Sequence, residues 1–266
     1  METGIRTLTE QDLGVLSATK QVEYGAVGVT EDGRRFRYAS FGGTATIPAG
    51  LLVVAPTITN STAGFQGMTI TAVATGGQVT ANLATGSTQI VLSNTGGTAI
   101  TVDQFAEGEL HIIVGGAAAD AASYTYRVRG NTAAAATTGY VTVFLNPTDA
   151  FRNATALVAG TDTACLDLSP YSGVNTSTTA ALVVGATINP VVNTATVTNY
   201  GWVETAGPLT LLNDSGGTIT VGGAFGQSTT TAGNIKAATA STVPIVGTTR
   251  VAITASNAGP VFLNIS

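Results

Sequence analysis

Short runs of apolar residues, separated by Gly, Asn and Pro, form the dominant pattern along this chain. The runs are rich in Val, Thr and Ile, whose branched side chains favour strands. No stretch sustains apolar residues at helical spacing, and only Glu10–Lys20 is compatible with a short helix. The pattern therefore predicts an all-β protein built from β-barrel or β-sandwich units.

The clearest local prediction is a hairpin near the N-terminus. Val27–Thr30 and Arg34–Tyr38 flank the turn dipeptide Asp32-Gly33. Alternation places Arg34, Phe36 and Tyr38 on one face of its second strand and Arg35 and Arg37 on the other. Further strands are predicted at Leu51–Ala55, Met68–Ala74, Gln89–Leu92, Leu110–Val114, Tyr124–Val128, Tyr140–Leu145, Ala181–Val184, Thr194–Thr198, Leu209–Leu212, Thr218–Val221, Val243–Val246, Val251–Thr254 and Pro260–Ile265.

Small-residue loops suggest the domain organisation. We expect a charged N-terminal arm with its hairpin over residues 1–37, a first β region over 38–130 and a second over 131–266. The boundary is placed among the Ala/Thr-rich loops between 115 and 140. Leu92–Val102 is similar to Leu212–Val221, which indicates either two related β units or a chance recurrence of Gly-Gly hairpins.

Charge is scarce and unevenly distributed. Only 9% of the residues are charged, against about 25% in typical chains. Eleven of the 25 charged residues lie in the first 37 positions, whereas Tyr38–Val102 and Leu168–Val203 contain none. Uncharged stretches of this length favour surfaces that meet other subunits, and we expect Tyr38–Val102 to contribute heavily to them. A solvated, Thr-rich β surface is the alternative.

Charge and hydrophobicity argue against two classes of partner, nucleic acid and membrane. A net charge of -5 argues against binding nucleic acid, which depends on clustered Lys and Arg. No aliphatic run is longer than Leu51–Ala55, which is far shorter than a membrane helix requires. No basic flank and apolar core mark a signal peptide at the N-terminus, so we expect assembly in a cytoplasm and no membrane partner.

Candidate catalytic chemistry is sparse. With one His and one Cys, the chain has neither a multi-His or multi-Cys metal site nor an internal disulfide. His111 lies in a strand pattern without a nucleophile elbow, and Cys165 is interpreted as a small core residue. No Gly-Lys pair exists for a phosphate loop. The acids that a glycosidase would need are scattered, and we interpret them as solvated loop or edge-strand acids: Glu107, Glu109, Asp120, Asp162, Asp167 and Glu204.

Two regions carry a resemblance to a known class of proteins. The first is Asp32–Ala39 followed by Gly42–Val53. The second comprises Asn199–Leu209, Ile219–Gly223, Thr231–Gly233 and Pro260–Ile265. Together they resemble virion structural proteins of tailed bacteriophages, of the capsid decoration or cement kind.

This resemblance implies a non-enzymatic, β-rich homo-oligomer, a dimer or trimer, that needs no cofactor. Such a protein binds the major capsid protein on the outside of an icosahedral shell and stabilises it, so its location would be the virion exterior. The alternative is a receptor- or glycan-binding β module of a tail fibre or surface protein.

The hairpin is the predicted contact site for a partner. Arg34, Arg35 and Arg37 would present guanidinium groups to carboxylates, and Phe36 and Tyr38 would supply aromatic anchor area. The alternative is a solvated hairpin whose two aromatic rings belong to the protein's own core.

Overall fold

The structure is a computed structural model that describes residues 5–43, 46–56, 68–69, 82–83, 86–94, 99–114, 122–136, 139–151, 157–158, 163–179, 181–193, 198–238 and 244–265. The predicted all-β class is confirmed. Across the described residues, the longest helix is α1 (Glu10–Leu13), too short to cross a membrane.

The chain divides into two compact units. The split unit contains Met1–Thr57 and Pro170–Ser266, and the inserted unit contains Ile58–Ser169. The strands of the split unit before the insertion are β1 (Arg6–Leu8), β2 (Val27–Thr30), β3 (Arg35–Phe41), β4 (Thr46–Ile47) and β5 (Leu52–Val54). The strands of the inserted unit are β6 (Met68–Thr69), β7 (Asn82–Leu83), β8 (Gln89–Asn94), β9 (Glu109–Val114), β10 (Ala122–Asn131), β11 (Gly139–Leu145), β12 (Leu157–Val158) and β13 (Thr163–Asp167), with a 3-10 turn at Pro147–Asp149. The split unit resumes with β14 (Ser172–Val174), β15 (Val183–Thr187), β16 (Val191–Val192), β17 (Tyr200–Leu212), β18 (Ala224–Gln227), β19 (Ile235–Ala237), β20 (Gly247–Thr249) and β21 (Ala258–Asn264).

This division differs from the predicted boundary near residue 130. β10 and β11 pair as antiparallel neighbours, so the Ala/Thr-rich segment between them joins two strands of one sheet. Residues 1–37 also differ from the expected separate arm, because β1 and the β2–β3 hairpin belong to the large sheet of the split unit.

The sheet of the split unit is organised around the long strand β17. Its path runs β1-β2-β3-β17-β21-β20-β18-β19, and β15 pairs with both β17 and β5. The N-terminal part of β17 pairs with β3, and Ala206–Leu212 pairs with β21. The predicted strand covered only Leu209–Leu212 of β17.

Continuous apolar runs supply the core of the split unit from both faces. Along β5, Leu52 and Val54 pack into one buried cluster with Phe225 and Val261. Leu51 and Val53 alternate into a second cluster, which also contains Phe41. A strand buried on both faces loses the polar alternation of a surface strand. A third cluster contains Leu8, Leu13, Phe36, Tyr38 and Trp202.

Burial explains part of the lack of charge in the described residues of Tyr38–Val102. Tyr38–Phe41 and Leu51–Val54 are buried in the protein's own core. Much of the remaining run lies outside the described residues, so its expected role in subunit contacts stays a prediction.

The two units share a four-stranded antiparallel arrangement. In the inserted unit the order is β9-β10-β11-β8, around the buried residues Leu92, Leu110 and Val143. In the split unit the order is β18-β20-β21-β17. The strands follow one another along the chain in the same way, except that β19 comes between β18 and β20 in sequence and lies at the edge of the sheet.

The similar segments occupy equivalent points of these arrangements. Leu92 and Leu212 lie in β8 and β17. Downstream, Ile100 bridges Ala134 just before β11, and Ile219 bridges Ile253 just before β21. Shared topology therefore favours the interpretation as two related β units.

Several predicted elements are shorter or absent. The predicted helix Glu10–Lys20 is shortened to α1 (Glu10–Leu13), which is capped by Thr9 through a capping box with Asp12 and is followed by Gly14 as its C-cap. Thr218–Val221 and Val251–Thr254 contribute only the single bridge between Ile219 and Ile253. Most of Met68–Ala74 and Thr194–Thr198 lies outside the described residues.

Candidate functional site

The predicted contact hairpin forms, but most of its side chains point into the protein. Phe36 is fully buried and Tyr38 is 3% exposed. The Tyr38 hydroxyl accepts a hydrogen bond from the backbone N–H of Gln21 at 3.0 Å, and its ring meets Trp202 edge-on with centroids 5.2 Å apart. The hypothesis that Phe36 and Tyr38 are exposed anchors is therefore wrong, because both rings complete the protein's own core.

The three arginines of the hairpin have different environments. Arg35 is exposed. Arg37 is half-buried, and its Nη1 donates to the carbonyl of Gly25 at 2.8 Å. Arg34 shares the inner face with Phe36, as the alternation predicted, and its guanidinium lies 5.6 Å from that ring centroid. Only Arg35 remains available for a partner without loss of one of these internal contacts.

Arg34 contacts three carboxylates from three parts of the split unit. Its Nε donates to Asp32 Oδ2 at 2.9 Å within the hairpin turn. Its Nη2 pairs with Glu10 in α1. Its Nη1 lies 4.0 Å from Glu204 Oε2 in β17. The guanidinium thus links the N-terminal segment, the hairpin and the central strand.

Glu204 is the most unusual group of this cluster. Its side chain is fully buried, and neither carboxylate oxygen has a hydrogen-bond partner. Burial raises the pKa of Glu204 to about 7, although the charge of Arg34 acts in the opposite direction. Glu204 therefore changes its protonation state near neutral pH.

A cleft of about 330 Å³ lies beside this pair. Arg34 and Glu204 line it together with Gly50, Ile188, Leu209 and Thr210. The residues that line it include one cation and one buried carboxylate among mainly small and apolar neighbours.

The prediction that Glu204 is a solvated acid is wrong, because its side chain is fully buried. The sequence does contain a signal: Glu204 follows directly on the uncharged run Leu168–Val203, which ends in Trp202 and Val203. A charge next to such a run points to a buried group with a special partner.

His111 lies in a separate polar cluster on the sheet of the inserted unit. Its Nε2 is 3.3 Å from Asp167 and 3.4 Å from Glu109, and its Nδ1 is 3.0 Å from the hydroxyl of Thr125. Cys165 stands directly opposite His111 on the neighbouring strand. The expectation that Cys165 is a core residue was wrong, because it is half-buried beside these polar groups.

The surroundings of Cys165 oppose nucleophilic chemistry. Its thiol donates to Asp167 at 3.6 Å. Burial, followed by the charge of Asp167, raises the pKa of Cys165 to about 12. The reactive thiolate is therefore scarce at neutral pH. Within the described ranges, no group of three or more His, Cys, Asp or Glu side chains is arranged to hold a metal ion.

The outward face of β17, β21 and β20 carries a further surface feature. Phe262 is 49% exposed and stands between Pro208 and Thr248, its partners on the two adjacent strands. The next positions along this face, Thr210 and Pro260, are also exposed and uncharged. We call these five residues the Phe262 face.

Comparisons with protein families, curated proteins and solved structures gave no match for this chain.

Proposed function

We propose that this protein is a non-enzymatic structural component of a tailed-phage virion, which binds the major capsid protein on the outside of the shell as a homo-oligomer. The observation that carries the proposal is the Phe262 face, an exposed aromatic ring together with four exposed, uncharged residues on three adjacent strands. Aromatic rings are enriched at the cores of protein interfaces, whereas charged residues are depleted there.

The energetics of the Phe262 face favour a protein partner over solvent. Covering Pro208, Thr248 and Pro260 removes no charge from water, so docking avoids the large desolvation penalty of buried ions. Covering Phe262 adds favourable apolar burial. The resemblance described above supplies the class of partner, and Arg35 supplies an exposed guanidinium in the same unit for pairing with carboxylates at the rim of a contact.

The copy number in purified particles tests the proposal. We expect hundreds of copies of this protein for each complete shell of major capsid protein, measured by quantitative gel or mass spectrometry. A dozen copies or fewer would instead favour the receptor- or glycan-binding module of a tail.

Binding to purified shells identifies the surface. Phe262→Ala should weaken binding at least tenfold, since large exposed anchors cost about 2 kcal/mol or more when truncated. Leu182→Ala is the matched control, because Leu182 is 65% exposed and does not belong to the Phe262 face. Equal binding of both variants and the unchanged protein would contradict the assignment of this face.

A further inference from the structure

The carboxylate of Glu204 lacks the hydrogen bonds that a buried anion requires. Both oxygens are without a partner, and the side chain is fully buried. An ionised carboxylate in this position costs several kcal/mol unless a cation or donors approach it. Glu204 must therefore either keep its proton or draw a cation closer.

Arg34 is the cation in position to respond. The groups that act electrostatically on Glu204 are Arg34 and the carboxylate of Asp32. The residues paired with Glu204 on the adjacent strands, Phe36 and Ala186, carry no charge. Arg34 Nη1 is 4.0 Å from Glu204 Oε2, longer than a charge-assisted hydrogen bond.

Arg34 is held away from Glu204 by its other partners. Asp32 accepts from its Nε, and Glu10 pairs with its Nη2. Glu10 is 74% exposed, so this pair contributes little free energy and is easily exchanged. The cleft that Arg34 and Glu204 both line offers space into which the guanidinium can turn.

The pair with Glu10 fastens the N-terminal segment, residues 5–14. This segment places Leu8 and Leu13 against Trp202. The side chain of Asn189 adds a hydrogen bond to this segment, by donating to the carbonyl of Leu13 at 2.6 Å. Loss of the Glu10 pair therefore loosens the segment without abolishing its docking.

We propose that Arg34 is a pH-dependent latch on the N-terminal segment. When Glu204 is protonated, Arg34 pairs with Glu10 and holds the segment down. When Glu204 loses its proton, Arg34 turns into the cleft, pairs with Glu204 and releases Glu10. The latch is a property of the isolated chain, so its test is independent of any binding to a shell.

Hydrogen exchange across pH 6.0 to 8.5 tests the latch in the full chain. The amides of Leu13 and Gly14, bonded within α1, report the segment after correction for the intrinsic pH dependence of exchange. We expect their protection to fall about three- to fivefold as pH rises, the size expected for loss of one exposed ion pair. The emission of Trp202, the single tryptophan, should move to longer wavelength over the same range.

Two test variants and one control variant separate the latch from general pH effects. Glu204→Gln remains neutral and should keep full protection at every pH. Glu10→Gln cannot pair with Arg34 and should have low protection at every pH. Glu31→Gln, an exposed acid in the same hairpin turn, should behave like the unchanged chain.

Two results would overturn the proposal. One is constant protection in the unchanged chain, and the other is an equal fall in Glu204→Gln and the unchanged chain. If Glu204→Gln does not fold, the ¹⁵N shift of Arg34 Nε in the unchanged protein decides. A transition with a midpoint near pH 7 supports the latch, and a flat shift contradicts it.

Discussion

The backbone carbonyls of Thr101 and Thr220 accept side-chain hydrogen bonds at equivalent points of the two units. Asn131 Nδ2, at the end of β10, donates to Thr101 at 2.9 Å. Thr249 Oγ1, at the end of β20, donates to Thr220 at 2.6 Å. Both donors are buried, so each unit uses a polar side chain to fasten the segment after its bridging isoleucine.

Removing these donors should destabilise the protein to different extents. Asn131 also accepts from the N–H of Phe105 at 2.8 Å, so Asn131→Ala removes more than one hydrogen bond. We expect a loss of about 3 kcal/mol for Asn131→Ala and about 1 kcal/mol for Thr249→Val in urea denaturation. Thr248→Val, an exposed neighbour on β20, should be close to neutral, and a similar loss there would contradict this explanation.

The β2–β3 turn depends on the backbone conformation of Gly33. Its φ is +86°, and an added Cβ would meet no atom within 4 Å. A substitution therefore costs only conformational strain. Thermal denaturation should show a loss of about 1 kcal/mol for Gly33→Ala and a smaller loss for Gly33→Asn, because Asn tolerates a positive φ. Equal losses of stability in Gly33→Ala and Gly33→Asn would contradict a cause in the backbone conformation and would imply a steric one.

The hairpin also shows how far the sequence determines the fold. Asp32-Gly33 specifies the turn, and the alternation from Arg34 to Tyr38 specifies which side chains share a face; both were predicted correctly. Alternation alone cannot state whether an inward face meets the protein's own core or a partner. That distinction depends on Trp202, which is distant in sequence and meets Tyr38 only after β3 pairs with β17.

Neither the division into two units nor the environment of Glu204 could be predicted from local sequence, because both depend on pairing between strands that are distant in the chain. The chain leaves the split unit after β5 and returns before β14. No local composition change marks either point, whereas the loop between β10 and β11 has the composition of a linker. The unpaired state of Glu204 likewise depends on which residues β3 and β15 place opposite it.

Glu204 should make the protein less stable as pH rises. Its pKa is raised from an ordinary value of 4.5 to about 7, so the folded state binds the proton more tightly than the unfolded state. The stabilisation is complete below pH 4.5, is lost between pH 4.5 and 7, and is then constant. Its size is at most about 3 kcal/mol.

Glu204→Gln should abolish this slope, because the amide does not titrate. Urea denaturation at several pH values measures the difference between the two proteins. An unchanged slope in Glu204→Gln would show that another group causes the dependence.

Cys165 should react slowly with thiol reagents in the folded protein. A pKa of about 12 lowers its thiolate fraction at pH 8 by roughly a thousandfold relative to an ordinary cysteine. Iodoacetamide labelling should therefore be slow in buffer and fast in denaturant. Asp167→Asn removes the neighbouring charge and should accelerate labelling of the folded protein. Rapid labelling of the unchanged chain would contradict the assigned environment.

Asp214 should affect the pH dependence of stability in the opposite direction to Glu204. Its buried carboxylate accepts from the N–H of Gly216 at 2.8 Å and from the hydroxyls of Ser228 and Thr230 at 2.7 and 3.1 Å. Burial alone raises the pKa of Asp214, but these hydrogen bonds outweigh it and hold the pKa below its ordinary value of 3.8.

The unfolded state therefore binds the proton of this group more tightly, so its stabilisation is present above about pH 4 and is lost as pH falls. Asp214→Asn should lower the free energy of unfolding by about 1–3 kcal/mol at pH 7, because the amide leaves at least one donor unpaired. The variant should also lack the loss of stability that Asp214 causes as pH falls. Ser228→Ala removes one donor and should raise the pKa of Asp214, which carbon-detected NMR of the carboxylate can measure. A pKa that does not rise in Ser228→Ala would show that the hydrogen bond does not stabilise the ionised form.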